Sequence, residues 1–198
     1  MNLPEIVEQL AAEAKERSPE GLHVDLGCGQ TPLEGFLGVD YFAEDALHLD
    51  LFDSEWGVEF FEETGKRIAL AYSSHFVEHV PDFEAFFVGL YDAMEDDGIA
   101  VIITPYWSSV RAFQDPTHRQ SISEPRYLYL SRKWRKANKL DHGYLNDVDF
   151  EIAYAPIYHW HEDFAHLGDA QKDWHRKHSL GAVNDIVMFL RKCPPPSA

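Results

Sequence analysis

The chain has 198 residues, a length that suits one compact domain with a substantial buried core, and we predict a single domain over residues 1–198. Its 34 acidic and 17 basic residues give a formal net charge of −17, which opposes bulk DNA or RNA binding, because that affinity comes mainly from Lys and Arg. The sequence has no run of about 18 apolar residues that would span a membrane and no signal peptide, so we expect a cytoplasmic protein without a membrane partner.

Residues 1–20 predict an N-terminal helix. Asn2 can cap its start, and Pro4 suits its first turn. Apolar residues follow at helical spacing, namely Leu3, Ile6, Val7, Leu10, Ala11 and Ala14. We expect this stripe to cover one face of a sheet.

The motif HVDLGCGQTPLEGFLGVD then predicts a strand, a glycine turn and a second strand. Residues 22–26 supply the apolar run of the first strand, and Gly27 and Gly29 let the backbone turn sharply and approach a ligand closely. The second strand, 37–41, brings Asp40 to its C-terminal end, where a carboxylate can accept the hydroxyl protons of a ribose. The motif therefore indicates nucleoside binding.

A dinucleotide-binding fold is the obvious alternative, and the spacing argues against it. Only ten residues separate Gly29 from Asp40, with Pro32 and Gly35 among them, whereas a full crossover helix needs about ten to twelve residues including its loops. We expect a short turn or loop instead. Asp25, beside the turn, would repel a diphosphate but can hold an ammonium group.

The remaining chain alternates helical and strand patterns, which is typical of an α/β sheet. The predicted elements are a short strand or loop at 46–51, a helix at 53–66, a strand at 68–73, a helix at 82–95, a strand at 99–104, and final strands at 150–158 and 183–190. Open α/β sheets bind ligands at the C-terminal ends of their strands, so the residues that follow these strands are candidates for a site.

A second motif, S-x-x-x-E-H, follows the strand at 68–73 and comprises Ser74, Glu78 and His79 with His75 inside it. If a helical turn begins here, His75 and His79 lie on one face and can accept a proton; they can equally be structural groups that fix the loop. Glu78 can orient a neighbour or cap the next helix. A zinc pair is disfavoured because no third ligand is evident, and we predict no metal.

A third motif, D-P-T-H, lies beyond the strand at 99–104, where substrate loops usually sit. Pro116 stiffens the turn, and Asp115 and His118 can both point into the cleft, which makes His118 the best single candidate for a general base. Both side chains can instead hold the turn through local hydrogen bonds. Several aromatic residues here can wall an acceptor site or belong to the core: Tyr106, Trp107, Phe113, Tyr127, Tyr129 and Trp134.

Charge is uneven along the chain. Residues 111–139 hold eight basic and two acidic side chains, a local charge of +6. This segment is either a solvated helix face or a cationic rim that steers an anionic substrate. The C-terminal third is rich in histidine, but the spacing around His159 and His161 specifies no metal geometry.

These motifs together resemble those of class I S-adenosylmethionine (SAM) dependent methyltransferases. In that family a strand ending in an acid precedes GxGxG, and an acid closes the second strand. Asp25, Gly27, Gly29 and Asp40 match, while Thr31 stands where the last glycine usually falls. G-F-x-G-V-D, S-H-x-x-E-H and D-P-T-H together resemble a group of small, type-11-like methyltransferases.

The resemblance implies a Rossmann-like three-layer sandwich, with a seven-stranded, mostly parallel sheet, an antiparallel C-terminal hairpin, a substrate-side insertion at 105–148 and a tail at 193–198. It implies SAM as the cofactor, held by Asp25, Gly27, Cys28, Gly29, Asp40, Tyr41, Asp50, Leu51, Ser74 and His75. The candidate catalytic residues are His118, His79 and Asp115.

The predicted activity is methyl transfer to a small-molecule, in particular an anionic, acceptor. The alternative is an inactive methyltransferase-like fold that serves as an interaction or regulatory subunit. A nicotinamide oxidoreductase is not supported by the short crossover. DNA amino methylation is disfavoured because the Asn/Asp-Pro-Pro-aromatic motif is absent after the strand at 68–73. The sequence does not determine the acceptor atom or the oligomeric state, for which a homodimer is one possibility.

Overall fold

The computed structural model describes residues 2–140, 145 and 148–195. The strands of this part are β1 (Leu22–Leu26), β2 (Leu37–Val39), β3 (Ile68–Ser74), β4 (Met94–Pro105), β5 (Phe150–Ile152), β6 (Ile157–Trp160) and β7 (Val183–Lys192). The helices are α1 (Leu3–Arg17), α2 (Trp56–Thr64), α3 (Phe83–Ala93), α4 (Arg111–Gln114), α5 (Glu124–Leu128), α6 (Arg132–Ala137), α7 (Glu162–Ala165) and α8 (Asp169–His178), with a 3-10 turn at Val77–His79. Within the described residues, no helix has both the length and the apolar character needed to cross a membrane.

The seven strands form one mixed sheet in the order β2-β1-β3-β4-β7-β5, and β6 also pairs with β7. Strands β1 to β4 run parallel to one another, whereas β7 runs antiparallel to β4, β5 and β6. This arrangement confirms the predicted mostly parallel sheet with antiparallel C-terminal strands.

Helices cover both faces of the sheet. Alternate residues of β4 point to opposite sides, so Val101 packs with α1 while Ile102 packs with α2 and α3. Asn2 caps α1 as predicted, by accepting the backbone N–H of Glu5. The two layers of helix and the sheet between them confirm the Rossmann-like three-layer sandwich.

One detail differs from the sequence-based expectations. The strand predicted at 150–158 divides into β5 and β6, although the Ala153 amide still donates to the Phe189 carbonyl between them. The segment 46–51, predicted as a short strand or loop, is a loop with one isolated bridge, from Leu47 to Val39. The antiparallel C-terminal strands form as expected, and helices α7 and α8 lie in the connection between β6 and β7.

The first crossover is as short as the spacing predicts. Residues 27–36, all described, form turns without a helix, and the Gly27 amide donates to the Val39 carbonyl at 2.8 Å. The glycine turn and Asp40 therefore lie together at the C-terminal ends of β1 and β2, the edge where sheets of this kind bind ligands.

Candidate functional site

The Asp40 carboxylate organises the edge of the site. Its Oδ2 accepts the Gly29 amide at 3.0 Å, and its Oδ1 accepts the amides of Phe42 at 2.8 Å and Ala43 at 3.2 Å. An ionised carboxylate offers about four acceptor positions, so about one is left for a ligand hydroxyl. Sequence reasoning assigned Asp40 to a ribose and missed this second role, which ties the two strand ends together.

The two glycines of the turn have different reasons to be glycine. Both adopt positive φ, +69° at Gly27 and +56° at Gly29. A Cβ on Gly27 would lie 2.2 Å from Phe76, so this position admits the neighbouring ring. A Cβ on Gly29 would meet no atom of the described residues within 4 Å, so its surface faces open space that a ligand can occupy.

Asp25 is a buried carboxylate behind this turn, with 5% of its surface exposed. Burial raises its pKa to about 6, the Leu33 amide that donates to it at 2.8 Å opposes the rise, and the nearby Asp40 charge adds to it. A cationic group placed against Asp25 would stabilise its charged form. The side chain therefore suits the ammonium predicted from the sequence.

Cys28 lies inside the same turn and is a free thiol. Burial raises its pKa to about 11, with the charges of Asp25 and Asp40 contributing. A thiol with this pKa stays protonated near neutral pH and is a poor nucleophile. Cys28 instead packs closely: a Cβ on Gly38 would lie 2.8 Å from its sulfur.

A cavity of about 270 Å³ lies beside the end of β2. It is lined by Asp40, Tyr41, Phe42, Leu49, Asp50, Leu51, Phe52 and Phe76. Four of the predicted cofactor residues meet there, although they come from two separate segments of the chain. Phe52 and Phe76, which the sequence analysis missed, stack with ring centroids 5.9 Å apart and an angle of 28° between their planes. Flat aromatic walls beside a carboxylate suit a nucleoside.

A larger cavity of about 650 Å³ lies elsewhere, between α2, α3 and the end of β7. It is lined by residues such as Arg67 and Met94, which stand at the N-terminal ends of β3 and β4. Ligands of open α/β sheets bind at the opposite edge. Position therefore favours the smaller cavity as the functional one.

The S-x-x-x-E-H segment differs in detail from its prediction. The 3-10 turn begins only at Val77, and His75 stands before it with φ of +56°, so His75 and His79 do not share a helical face. His75 contacts Glu78, with 3.3 Å between Nδ1 and Oε1, which confirms that Glu78 orients a neighbour. Ser74 is the last residue of β3, one residue beyond the predicted end of that strand.

The insertion after β4 folds back over this turn. The amides of Arg119 and Gln120 donate to the Glu78 carbonyl at 2.8 and 3.0 Å, which carries His118 inward. The His118 side chain is only 10% exposed, its Nε2 lies 4.0 Å from Glu78 Oε1, and its ring centroid lies 4.7 Å from that of His79. His118 and His79, both predicted as catalytic, are thus brought together with Glu78.

Asp115, the third predicted catalytic residue, holds the turn. Its Oδ1 accepts the backbone amide of Thr117 at 2.8 Å and the Thr117 hydroxyl at 2.6 Å, and these bonds lower its pKa. The Thr117 hydroxyl also lies 2.9 Å from His79 Nδ1. Asp115 therefore reaches the histidines only through Thr117.

Several other candidates have structural roles. Tyr106 and Tyr127 are buried in the core, and Arg135 is buried and donates to three backbone carbonyls. His159 faces Asp185 at 3.8 Å, whereas His161 faces Asp163 at 3.4 Å, so the two histidines are not brought to one site. Part of the basic segment thus serves the fold.

Comparisons with known proteins identify the fold. No protein-family model and no curated protein matches the chain. The structure is similar to that of a SAM-dependent methyltransferase from Archaeoglobus fulgidus, with a TM-score of 0.55 and 17% identity over 93% of this chain and 94% of that one. SAM-dependent methyltransferases from Anabaena variabilis (TM-score 0.48, 14% identity, 94% and 85% covered) and Mesorhizobium loti (0.44, 21%, 91% and 96%) also match. At these identities the likeness establishes the fold, and this assignment rests on the Archaeoglobus structure.

Proposed function

Because the chain has the fold of class I SAM-dependent methyltransferases, we propose that it binds SAM and transfers the methyl group to a small-molecule acceptor. The observation that carries the proposal is the cavity of about 270 Å³, where Asp40, Tyr41, Asp50 and Leu51 converge. The sequence motifs assigned these four residues to one ligand. Their convergence supports that assignment, because nothing in local sequence brings residues 40–41 and 50–51 together.

Each part of SAM has a matching group. Asp25 receives the ammonium of the methionine moiety, and the open face of Gly29 admits the ligand to the backbone. The remaining acceptor position of Asp40 takes a ribose hydroxyl, and the stacked rings of Phe52 and Phe76 line the space for adenine. SAM, when bound, supplies a methyl group on a sulfonium that carries its own leaving group.

The acceptor belongs beside Glu78, His79 and His118 in this proposal. Glu78 and His79 come two and three residues after Phe76, which lines the nucleoside cavity. His118 packs against His79, so the cluster adjoins the segment that lines the cavity. Orientation of the acceptor against the methyl group supplies much of the rate enhancement. His118 is the candidate to take a proton from the acceptor, an effect typically worth about 10²- to 10⁴-fold.

An anionic acceptor is favoured by the charge of the segment that carries His118. Residues 111–139 hold eight basic and two acidic side chains in a protein of net charge −17. Arg111 is paired with Asp185 at 3.0 Å, whereas Arg119, next to His118, is exposed and is the candidate to meet an anion. A basic segment of this kind can direct small anions to one part of the surface.

The test is S-adenosylhomocysteine formation from SAM, measured with sets of small acceptors grouped as anionic, neutral and cationic. We expect turnover with members of the anionic set, and its loss in His118→Ala. Turnover with cationic acceptors alone would contradict the anionic assignment. Tight SAM binding without turnover in any set would favour the interaction or regulatory subunit.

A further inference from the structure

The cluster of Glu78, His79 and His118 has the composition of a metal centre. Each residue offers one ligand atom, all three atoms lie within 4.8 Å of one another, and within the described residues this is the one group of its kind. We propose that it binds a divalent transition-metal ion: two imidazoles and one carboxylate are a ligand set of catalytic Zn²⁺ sites, and the same set also suits Fe²⁺. The sequence predicted no metal because no third ligand was evident, and the fold supplies that ligand.

The first reason to place a metal ion here is the environment of the Glu78 carboxylate. Its side chain is 2% exposed, and among the described residues neither carboxylate oxygen accepts a hydrogen bond. The nearest nitrogens are His75 Nδ1 at 3.3 Å and His118 Nε2 at 4.0 Å from Oε1. Apart from these two imidazoles the buried carboxylate has no close polar partner among the described residues, and a bound cation would neutralise its charge.

The second reason to place a metal ion here is the hydrogen bonding of the His118 ring. Its Nδ1 lies 3.3 Å from the carbonyl oxygen of Ala112, which can only accept, so Nδ1 carries the proton. In the neutral ring Nε2 then presents a lone pair toward the Glu78 carboxylate. Two electron-rich atoms that face one another in a buried place are expected where a cation sits between them.

The His79 ring also has a protonated Nδ1 and, among the described residues, a free Nε2, as separate hydrogen bonds show. The Thr117 hydroxyl gives its one proton to Asp115 at 2.6 Å, so toward His79 Nδ1, 2.9 Å away, it acts as an acceptor. Nδ1 of His79 is therefore protonated, and Nε2 is left for a ligand. Metal-binding histidines characteristically donate their other N–H to a carbonyl or to a group backed by a carboxylate, and both histidines do so.

Such a centre has room for a substrate. Three protein ligands leave a fourth position open, as in catalytic zinc sites. A tetrahedral ion with bonds of about 2.1 Å holds its ligands roughly 3.4 Å apart, so ion binding would draw these side chains about 1 Å closer together. This role rests on the proposed function and changes the part of His118 in it: with its Nε2 on the ion, His118 would hold the ion and would not take the acceptor's proton. The open position would hold an oxygen of the acceptor, and the ion would give an anionic acceptor a positive partner. Ion binding itself does not depend on it.

The experiment is a calorimetric titration of chelator-treated full-length protein with Zn²⁺ alone, repeated with Co²⁺ followed by visible absorption. We expect about one ion per chain, with affinity reduced about 100-fold or more in Glu78→Gln and His118→Ala. Thr117→Val removes the acceptor for His79 together with the hydroxyl's own bond to Asp115, and leaves the backbone bond from Thr117 to Asp115 in place. It should weaken binding by about 10- to 100-fold and serves as the test if a ligand variant fails to fold. His166→Ala, at an exposed histidine outside the cluster, is the matched control.

Absence of saturable binding, or binding that survives both ligand variants and Thr117→Val, would overturn the proposal. Loss of binding in His166→Ala would do the same. A SAM titration on the same samples separates the two proposals. Zn²⁺ binding without SAM binding would support the metal site and refute the proposed function. SAM binding without Zn²⁺ binding would support the proposed function and refute the metal site.

Discussion

The backbone N–H of Gly29 donates a 3.0 Å hydrogen bond to Oδ2 of Asp40, which ties the turn after β1 to the residue that follows β2. The other oxygen of Asp40 holds the next turn through Phe42 and Ala43. One side chain thus shapes the site and, in the proposed function, also binds the ligand. Substitution of Asp40 would change the shape of the site and the binding of the ligand together. Variants of the glycines separate these two effects better.

Gly29→Ala should weaken SAM binding with little effect on the fold beyond backbone strain. Gly29 and Gly35 both have positive φ, +56° and +81°, and a Cβ on either would meet no described atom within 4 Å. Each alanine variant should therefore lose about 1–2 kcal/mol of stability from backbone strain. Only the Gly29 variant should lose SAM affinity, by at least about tenfold, in paired calorimetric titrations. Equal affinities in the two variants would place the ligand elsewhere.

Asp25 should make stability depend on pH. Its folded pKa of about 6 exceeds the reference value of 3.8, so the stability that it contributes is full below about pH 4 and is lost as the pH rises through 6. The loss should reach roughly 3 kcal/mol, because each tenfold change in proton affinity corresponds to about 1.4 kcal/mol. Asp25→Asn removes this titration.

In denaturant unfolding, Asp25→Asn should therefore be more stable than the wild type at about pH 7.5 and close to it at about pH 4. The same variant should bind SAM more weakly at the higher pH, because it lacks the charge for the ammonium. A stability difference that does not change with pH would show that Asp25 has an ordinary pKa.

Arg135 should be essential to the fold although it lies in the basic segment. Its guanidinium is 2% exposed and donates to the carbonyls of Tyr129, Leu145 and Val148. Arg135→Met removes these three hydrogen bonds, although the Leu145 carbonyl keeps the bond from the Val148 amide at 3.2 Å, and should cost about 3 kcal/mol of unfolding free energy. The adjacent, exposed Lys136 gives the control: Lys136→Met should change it by less than about 0.5 kcal/mol. Similar small effects at both positions would mean that Arg135 is a surface residue.

The contact between α2 and α3 should tolerate no side chain at Gly89. A Cβ there would lie 2.1 Å from Nε1 of Trp56, a fully buried side chain. Gly89→Ala should lower the free energy of unfolding by about 1–3 kcal/mol, despite the better helix propensity of alanine. Glu84→Ala, at an exposed position of the same helix, should have little effect. A stabilised Gly89→Ala would show that the helices pack more loosely.

Local pattern was enough to predict the frame of the molecule. The N-terminal helix, the motif from β1 to Asp40 and the short crossover were all confirmed, because each depends on neighbours in sequence: an apolar run, two glycines and a spacing of ten residues. The division of the strand at 150–158 was not predictable in this way. It depends on how β7 pairs with two successive segments.

The cluster of Glu78, His79 and His118 could not be predicted from the sequence. Four-residue spacing suggested a pair of His75 and His79, but the backbone of His75 is left-handed and the turn starts after it. The actual neighbour of His79 is His118, almost forty residues away, carried there by the backbone bonds of Arg119 and Gln120 to Glu78. Such a long-range contact leaves no periodic signal in one sequence.

Calorimetric titration of the wild-type protein with SAM, S-adenosylhomocysteine and NAD tests whether the site at the ends of β1 and β2 binds SAM. We expect saturable binding of the two sulfur ligands at about one per chain. We expect no comparable binding of NAD, since the short crossover offers no long helix N-terminus for a diphosphate. Folded protein that binds neither sulfur ligand, or that prefers NAD, would contradict the assignment of this site to SAM.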